Sequence, residues 1–543
     1  MHTLPDRPNP DQLKRQAKEL LAAFRSGDAA AINRFRASLP AAAGQPDDAI
    51  RNAGFRLHDA QSCLAREYGF PSWSAMAAFV DTARLRDEDA TTRRTAFLRA
   101  LHAGDICGGM DNPRPSHAAR LLETYPDVAQ GCAVTACATG DIAQVRQAIA
   151  EDSTWINRPA GPLALPPLLA ATHSSLIGNE AFRPRIVETV RLLLASGADP
   201  NQRVGSRWPP ASLAAPDERT PLSALYGAAG RNHDAALTAL LLEAGADPDD
   251  GESLYHSLDG PACTRLLLEA GATVTGTNAL FRVLDMDDVA TLRLLLDHAR
   301  EAPELDDGRL LFWAIRRRRS PAHIQALLDA GVSALARTEA GLSAAQLALR
   351  YGLPAVAALL GDHGAQVSSP RDEQFIAACA GADADAARRI LAAEPDLLSR
   401  LDQADLRLLP ELAAAGASDA VQVMVSLGWP VETCGGDWNA SALNHAVFRG
   451  DRAMKEFLLT HGASWRAQHG FGDDVSGTLG WASLNRPEPD GDWVGCAEAL
   501  RAHGMPAVQR DPGDPTTMLL EGRPRRFSED VAACLSGEEE TLQ

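Results

Sequence analysis

Aromatic, imidazole and carboxylate side chains crowd one stretch of this chain. Five of the nine tryptophans, Trp429, Trp438, Trp465, Trp481 and Trp493, lie between residues 429 and 493, with His445, His461, His469, Asp437 and Asp473 among them. Exposed rings beside titratable groups make hot spots for proteins or pockets for small ligands, because the rings supply contact area and the polar groups fix orientation. The competing reading is that these rings fill and shield an irregular end of the fold. A nucleophilic pair, Cys434 or Cys496 with His445 or His469, has the right residue types, but such partners meet only in space and no local motif joins them. A second chemistry-bearing run is Arg316, Arg317, Arg318 and Arg319 in FWAIRRRRSPAHIQ. Guanidinium forks bind carboxylates bidentately, so the run reads as a docking site for an acidic partner, as a solvated face, or as an internal partner for nearby acids.

Other chemistries find little support. The glycine-rich GDICGGMDN has neither the spacing of a phosphate-binding loop nor a strand before it. Cys132 and Cys137, with His102 or His117, lack the spacing of a structural zinc motif and fall on apolar helical positions. No cofactor or metal is expected. The formal net charge of -19 opposes sequence-independent binding to nucleic acid or anionic membrane. The cations of the first helices, such as Lys14, Arg15 and Lys18, alternate with Asp11, Glu19 and Asp28 as on an ordinary amphipathic surface. Nine cysteines without a C-x-x-C pair fit a reducing compartment. The start MHTLPDRPNPDQ lacks the regions of a signal peptide, and no apolar run approaches membrane-spanning length, so a cytoplasmic location is expected.

The elements that position the aromatic stretch are legible in residues 441–464, SALNHAVFRGDRAMKEFLLTHGAS. Ser441 is placed to cap a first helix, Gly450 and Asp451 break it, and Phe457, Leu458 and Leu459 form the stripe of a second helix that Gly462 closes. Gly352 with Gly364, and Gly416 with Gly428, repeat the same twelve-residue interval. The closing glycines extend through Gly197, Gly245, Gly271, Gly331, Gly364, Gly428 and Gly462, in steps of 48, 26, 60, 33, 64 and 34. Taking 60 and 64 as double steps, with Ala299 and Ala393 in the glycine slot, gives a period near 33. A helix pair repeated in this way buries its apolar face mainly against its neighbours.

Two short helices per 33 residues, closed by G-A-D-P-N and accompanied by Thr220-Pro221-Leu222, resemble the ankyrin repeat. Thr220 would cap, Pro221 would occupy the first helical position and Leu222 would begin the buried stripe. The fold class expected is all-α, an ankyrin-repeat α-solenoid with hairpin-like fingers behind a small helical N-terminal region. In residues 1–84, Asp11 can cap the first helix, whose stripe is Leu13, Ala17, Leu20, Leu21 and Phe24, and Ser72 caps a later one. The segments L-x-D-A-Q (residues 57–61) and A-R-E-Y-G-F-x-S-W (residues 65–73) resemble the helical block that precedes ankyrin arrays in some bacterial proteins, a resemblance that carries no activity. Residues 85–116 read as a linker, 117–508 as the array with degenerate terminal repeats, and 509–543 as a cap, with a helix near 528–535, and a disordered tail.

The resemblance implies a non-enzymatic scaffold that binds a protein partner through its fingers and first helices. The candidate contacts are Trp208, which falls in a finger insertion, Arg316 to Arg319, Trp438, Trp465 and His469. Trp438 and Trp465 are expected to be exposed on the concave side. The alternative is a ligand-binding protein or enzyme with its site among Trp438 to Trp493, gathering His469, Asp473 and Trp481.

Overall fold

The computed structural model describes the chain apart from residues 1–3, 6, 7, 300, 301, 489, 515, 516 and 537–543. The tail EEETLQ, expected to be disordered, lies outside the described residues. The chain divides into two compact units, residues 1–279 and 280–543. Each is rich in short tandem helices and resembles a solenoid.

The first unit opens with helices Pro10–Arg25, Ala29–Ser38, Leu57–Glu67 and Trp73–Arg84. The stripe Leu13, Ala17, Leu20, Leu21 and Phe24 is buried as its spacing predicts. The cap differs from the sequence reading: Asn9, not Asp11, precedes the helix, and its Oδ1 accepts from the Asp11 N–H at 2.9 Å, with Pro10 just inside the start. Phe24, Phe35 and Phe55 pack with ring centroids 4.6 to 5.6 Å apart at the centre of this block. Residues 85–116, expected as a linker, contain helices Ala90–Leu101 and Gly104–Cys107. Phe97, Leu98 and Leu101 form a buried stripe there, which the surrounding Arg, Asp, Gly and Pro obscured in the composition.

From residue 117 onward, helix pairs repeat with one local geometry. The closing glycines of the first unit (Gly197, Gly245, Gly271) and of the second (Gly331, Gly364, Gly428, Gly462, Gly504) all have φ between +89° and +99°. After each, the next N–H returns to the carbonyl five residues back, as in Ala246 to Leu241 at 2.9 Å and Ala463 to Leu458 at 3.0 Å. This is the Schellman closure, which needs a left-handed residue in the glycine slot. Glycines between the paired helices form a second class: Gly140, Gly352, Gly416 and Gly450 have φ from +65° to +72°. Asp287, Arg318 and Ala382 take left-handed values in the corresponding turns of eroded repeats, at a cost of about 1–2 kcal/mol each. Ala299, assigned to a glycine slot by spacing, ends its helix at φ -116° and so closes without the motif.

Side chains join successive repeats within each unit. Asn157 Nδ2 donates to the Gly197 carbonyl while its Oδ1 accepts from the Asp199 N–H. Asn201 does the same with Gly245 and Asp247, and Glu432 accepts from the Ser464 N–H at 2.7 Å. Antiparallel hairpins project between helix pairs, Arg203–Ser206 with Asp217–Ser223 and Cys434–Gly435 with Ala440–Ser441. The first hairpin corrects the reading of Thr220-Pro221-Leu222, which lie in a strand; Ser223 caps the helical turn that follows, its Oγ accepting from the Tyr226 N–H at 2.8 Å. At the C-terminal end, strands Gln509–Arg510, Met518–Leu520 and Arg523–Arg525 form a small sheet beside the expected cap helix, Glu529–Ser536. These strands were not foreseen.

Candidate interaction surface

Ser441 caps the Ala442–Arg449 helix through its Oγ, which accepts from the Asn444 N–H. That fixes His445 and Phe448 on the helix behind the Cys434–Ser441 hairpin. The hairpin tip turns tightly, the Asn439 N–H donating to the Gly436 carbonyl at 3.2 Å. It lies so close to the helix that a Cβ on Gly436 would stand 2.8 Å from His445 Nε2. Trp438, at the tip, meets His445 edge-on with centroids 4.7 Å apart, His469 at 5.1 Å and Phe448 at 5.7 Å. Phe448 in turn stacks on Trp481 of the Val475–Asn485 helix at 5.4 Å and 10°. Phe471 reaches the edge of His469 at 5.9 Å. The outcome is a continuous aromatic surface drawn from one hairpin, the loop that carries His469 and Phe471, and two first helices. Phe471 is 82% exposed, and Trp481 and Leu484 are each 53% exposed.

The imidazoles under this surface are held neutral. Burial lowers the His445 pKa to about 4, against the favourable bond its Nε2–H makes to the Gly435 carbonyl at 3.1 Å. Burial also lowers that of His469, with Asp473 and Asp474 opposing. The Phe471 N–H donates to His469 Nδ1 at 3.2 Å, so that ring carries its proton on Nε2.

The arginine run is divided. Arg316 is exposed, whereas the other three guanidinium groups have internal partners. Arg317 lies over the Trp313 ring at 4.2 Å, and donates from Nε to Asp285 and from Nη2 to Asp437, both at 2.6 Å. Burial works against its charge, but the bonds to Asp285 and Asp437 prevail and raise its pKa. Arg318 donates to the Tyr351 carbonyl, and Arg319 pairs with Asp287 at 2.8 Å. Of the three readings of this run, internal pairing with acids describes Arg317 and Arg319, while Arg318 is held by a backbone carbonyl.

The tryptophans also divide. Trp465 does not have the exposure expected of it: it is 7% exposed, and Arg466 lies over its ring at 4.1 Å. Trp429 and Trp493 are buried as well, so the filling role fits these three. Trp438 is half-buried and Trp481 is exposed. In the first unit, Trp208 is 47% exposed on its finger. Of His469, Asp473 and Trp481, the first two meet, the His469 N–H donating to the Asp473 carbonyl at 2.9 Å, but the Asp473 carboxylate accepts from Arg525 Nη2 at 2.6 Å and Trp481 stacks on Phe448. Burial pushes the Cys496 thiol up to about 12, and Cys434 is also raised, the reverse of what a nucleophilic thiolate needs. Among the described residues no group of His, Cys, Asp and Glu is arranged to hold a metal ion, and no helix is long and apolar enough to cross a membrane.

Sequence reasoning missed Phe448, Phe471 and Leu484. Phe471 had a signal: an apolar ring between two glycines in the polar finger HGFGDD is not there to pack a helix. Phe448 had none, since it continues an ordinary helical stripe.

No family model matches this chain, and no curated protein matches it. Among solved structures, it is similar to the ankyrin repeat domain of Bcl-3, described as a unique member of the IkappaB protein family, at 19% identity over 48% of this chain and 100% of that one, with a TM-score of 0.22. It is also similar to the human ASB11 ankyrin repeat domain, at 18% identity over 42% of this chain and 98% of that one, with a TM-score of 0.21.

Proposed function

We propose that this chain is a non-enzymatic scaffold of ankyrin-type repeats that binds a protein partner on the surface formed by Trp438, Phe448, Phe471, Trp481 and Leu484. The period near 33 residues, the uniform Schellman closures and the hairpins between helix pairs support the repeat type. The observation that carries the binding reading is the exposure of Phe471 and Trp481 at the two ends of one chain of ring contacts through His469, Trp438 and Phe448, with Leu484 exposed three residues after Trp481, where the packing of the helices does not require them. Large apolar groups gathered on a surface mark recognition sites, and rings of this kind dominate binding energy when a partner desolvates them. Nine free cysteines support a reducing, cytoplasmic setting. The acidic balance of the chain favours a protein over nucleic acid as the partner.

The test is cross-linked affinity capture from native cell extract with the full chain and with a Phe471→Ala/Trp481→Ala double variant. The expected outcome is a partner recovered by the parent chain and depleted at least tenfold by the variant, with the melting temperature changed little. Equal recovery by both would remove this surface from the binding site.

A further inference from the structure

A cavity of about 210 Å³ opens in the first unit, beside the Gly104–Cys107 turn. Its walls are built by close approaches that only glycine permits. A Cβ on Gly104 would stand 2.2 Å from the Gly109 carbonyl oxygen, and the Gly104 N–H donates to the Asp111 carbonyl at 3.0 Å, closing the loop that carries Asn112 to the rim. A Cβ on Gly227 would meet the His173 ring at 2.5 Å, so the ring's approach to this backbone depends on glycine.

Three of the polar side chains lining the cavity, His173, Ser175 and Asn232, have spent their hydrogens. His173 is 4% exposed and its Nε2–H donates to the Ser223 carbonyl at 2.9 Å, which leaves Nδ1 as a lone pair. Burial lowers its pKa, so it stays neutral near pH 7. Both amide hydrogens of Asn232 are committed, to the Thr172 and Gly227 carbonyls at 2.8 and 3.0 Å, which leaves Oδ1. Ser175 directs its hydroxyl to the Ala100 carbonyl at 3.4 Å, leaving its lone pairs. Behind these acceptors stands the Asp105 carboxylate, 8% exposed, whose Oδ1 has no hydrogen-bond partner among the described residues. Arg231, 31% exposed and on the cavity wall, lies 3.6 Å from that oxygen, an ion pair too long for a hydrogen bond.

The cavity thus joins hydrogen-bond acceptors, backed by a buried negative charge, to a guanidinium that is more exposed than His173 and Ser175. We infer that it binds a small zwitterion of the α-amino acid class, the ligand ammonium donating to His173 Nδ1, Ser175 Oγ and Asn232 Oδ1 and the ligand carboxylate pairing with Arg231. A simple anion would answer Arg231 and leave the acceptors unsatisfied; a simple amine would do the converse. The volume lies below the roughly 300 Å³ at which drug-sized pockets begin, which restricts the ligand to short side chains.

The test is titration calorimetry on the full chain with glycine and L-serine, and with acetate and ethylamine as single-charge probes. At least one amino acid should bind saturably, and tenfold or more tighter than either single-charge probe. Arg231→Gln should weaken amino acid binding at least tenfold. Because that change leaves Asp105 buried without its ion pair and can affect folding, Ser175→Ala serves as the second variant, with a threefold to tenfold loss and unchanged circular dichroism expected. Acetate binding as tightly as glycine, or no saturable binding of either amino acid by the folded chain, overturns the assignment.

Discussion

Arg317 Nη2 donates to Asp437 Oδ2 at 2.6 Å although 120 residues separate them. The bond ties the end of one first helix, where Arg317 also covers Trp313 and binds Asp285, to the hairpin that carries Trp438. It therefore links the arginine run to the aromatic surface. Asp437 is 60% exposed, so the pair itself contributes no more than about 1 kcal/mol.

Removing the two partners should accordingly have unequal effects. Asp437→Asn retains an acceptor and should lower stability by less than about 1 kcal/mol. Arg317→Ala deprives Asp285 of a donor and uncovers Trp313, and should cost about 1–3 kcal/mol. Chemical denaturation of both variants in low and high salt measures the difference. Equal losses would mean that the Asp285 and Trp313 contacts add nothing.

Two glycines of the same repeat separate backbone strain from crowding. Gly462 has φ +91°, and a Cβ there would have nothing within 4 Å, so Gly462→Ala should cost only the left-handed penalty of about 1–2 kcal/mol. Gly450 has φ +65°, and a Cβ there would stand 2.6 Å from both Gly491 Cα and Asp492 N. Gly450→Ala adds overpacking of about 1–3 kcal/mol to a similar penalty. Thermal melts should rank the variants in that order.

The same two positions mark how far the sequence could be read. Apolar spacing and glycine intervals identified the helix pairs, because each repeat uses local contacts whose signals lie within a few residues. Residues 85–116 escaped, since Phe97, Leu98 and Leu101 are a short stripe inside a polar, glycine-rich segment. The strands at 509–525 escaped because two- and three-residue strands have no periodicity to detect. The surface was half legible: Trp438 and His469 were named, but the exposure of Trp481 and the burial of Trp465 depend on which neighbours the hairpins bring, and spacing does not encode that.

His445 makes stability depend on pH with a definite sign. Its folded pKa, about 4, lies below the ordinary 6.5, so between those values the unfolded chain binds more protons than the folded one. Stability should be complete above about pH 6.5 and fall as the pH drops toward 4, by up to about 3 kcal/mol from this residue. His445→Gln keeps an N–H for the Gly435 carbonyl without a titrating group. The variant should therefore lose less stability than the parent between pH 6.5 and 4 in parallel denaturation series. Identical pH slopes would show that His445 is protonated alike in both states.

Trp465 and Trp481 give the most direct contrast between filling and binding. Trp465 is 7% exposed beneath Arg466, whose guanidinium also holds Glu521 at 2.6 Å, so its removal opens a cavity under a salt bridge to the C-terminal sheet. Trp465→Ala should cost about 3–5 kcal/mol. Trp481 is 53% exposed and loses mainly its stack on Phe448, a pair worth about 0.5–1.5 kcal/mol. Trp481→Ala should therefore leave the chain folded with a melting temperature near that of the parent. If Trp481 served packing alone, a Trp481 variant would capture its partner as well as the parent does. If Trp481 is a recognition residue, stability and capture separate: Trp465→Ala lowers the melting temperature, and Trp481→Ala lowers capture.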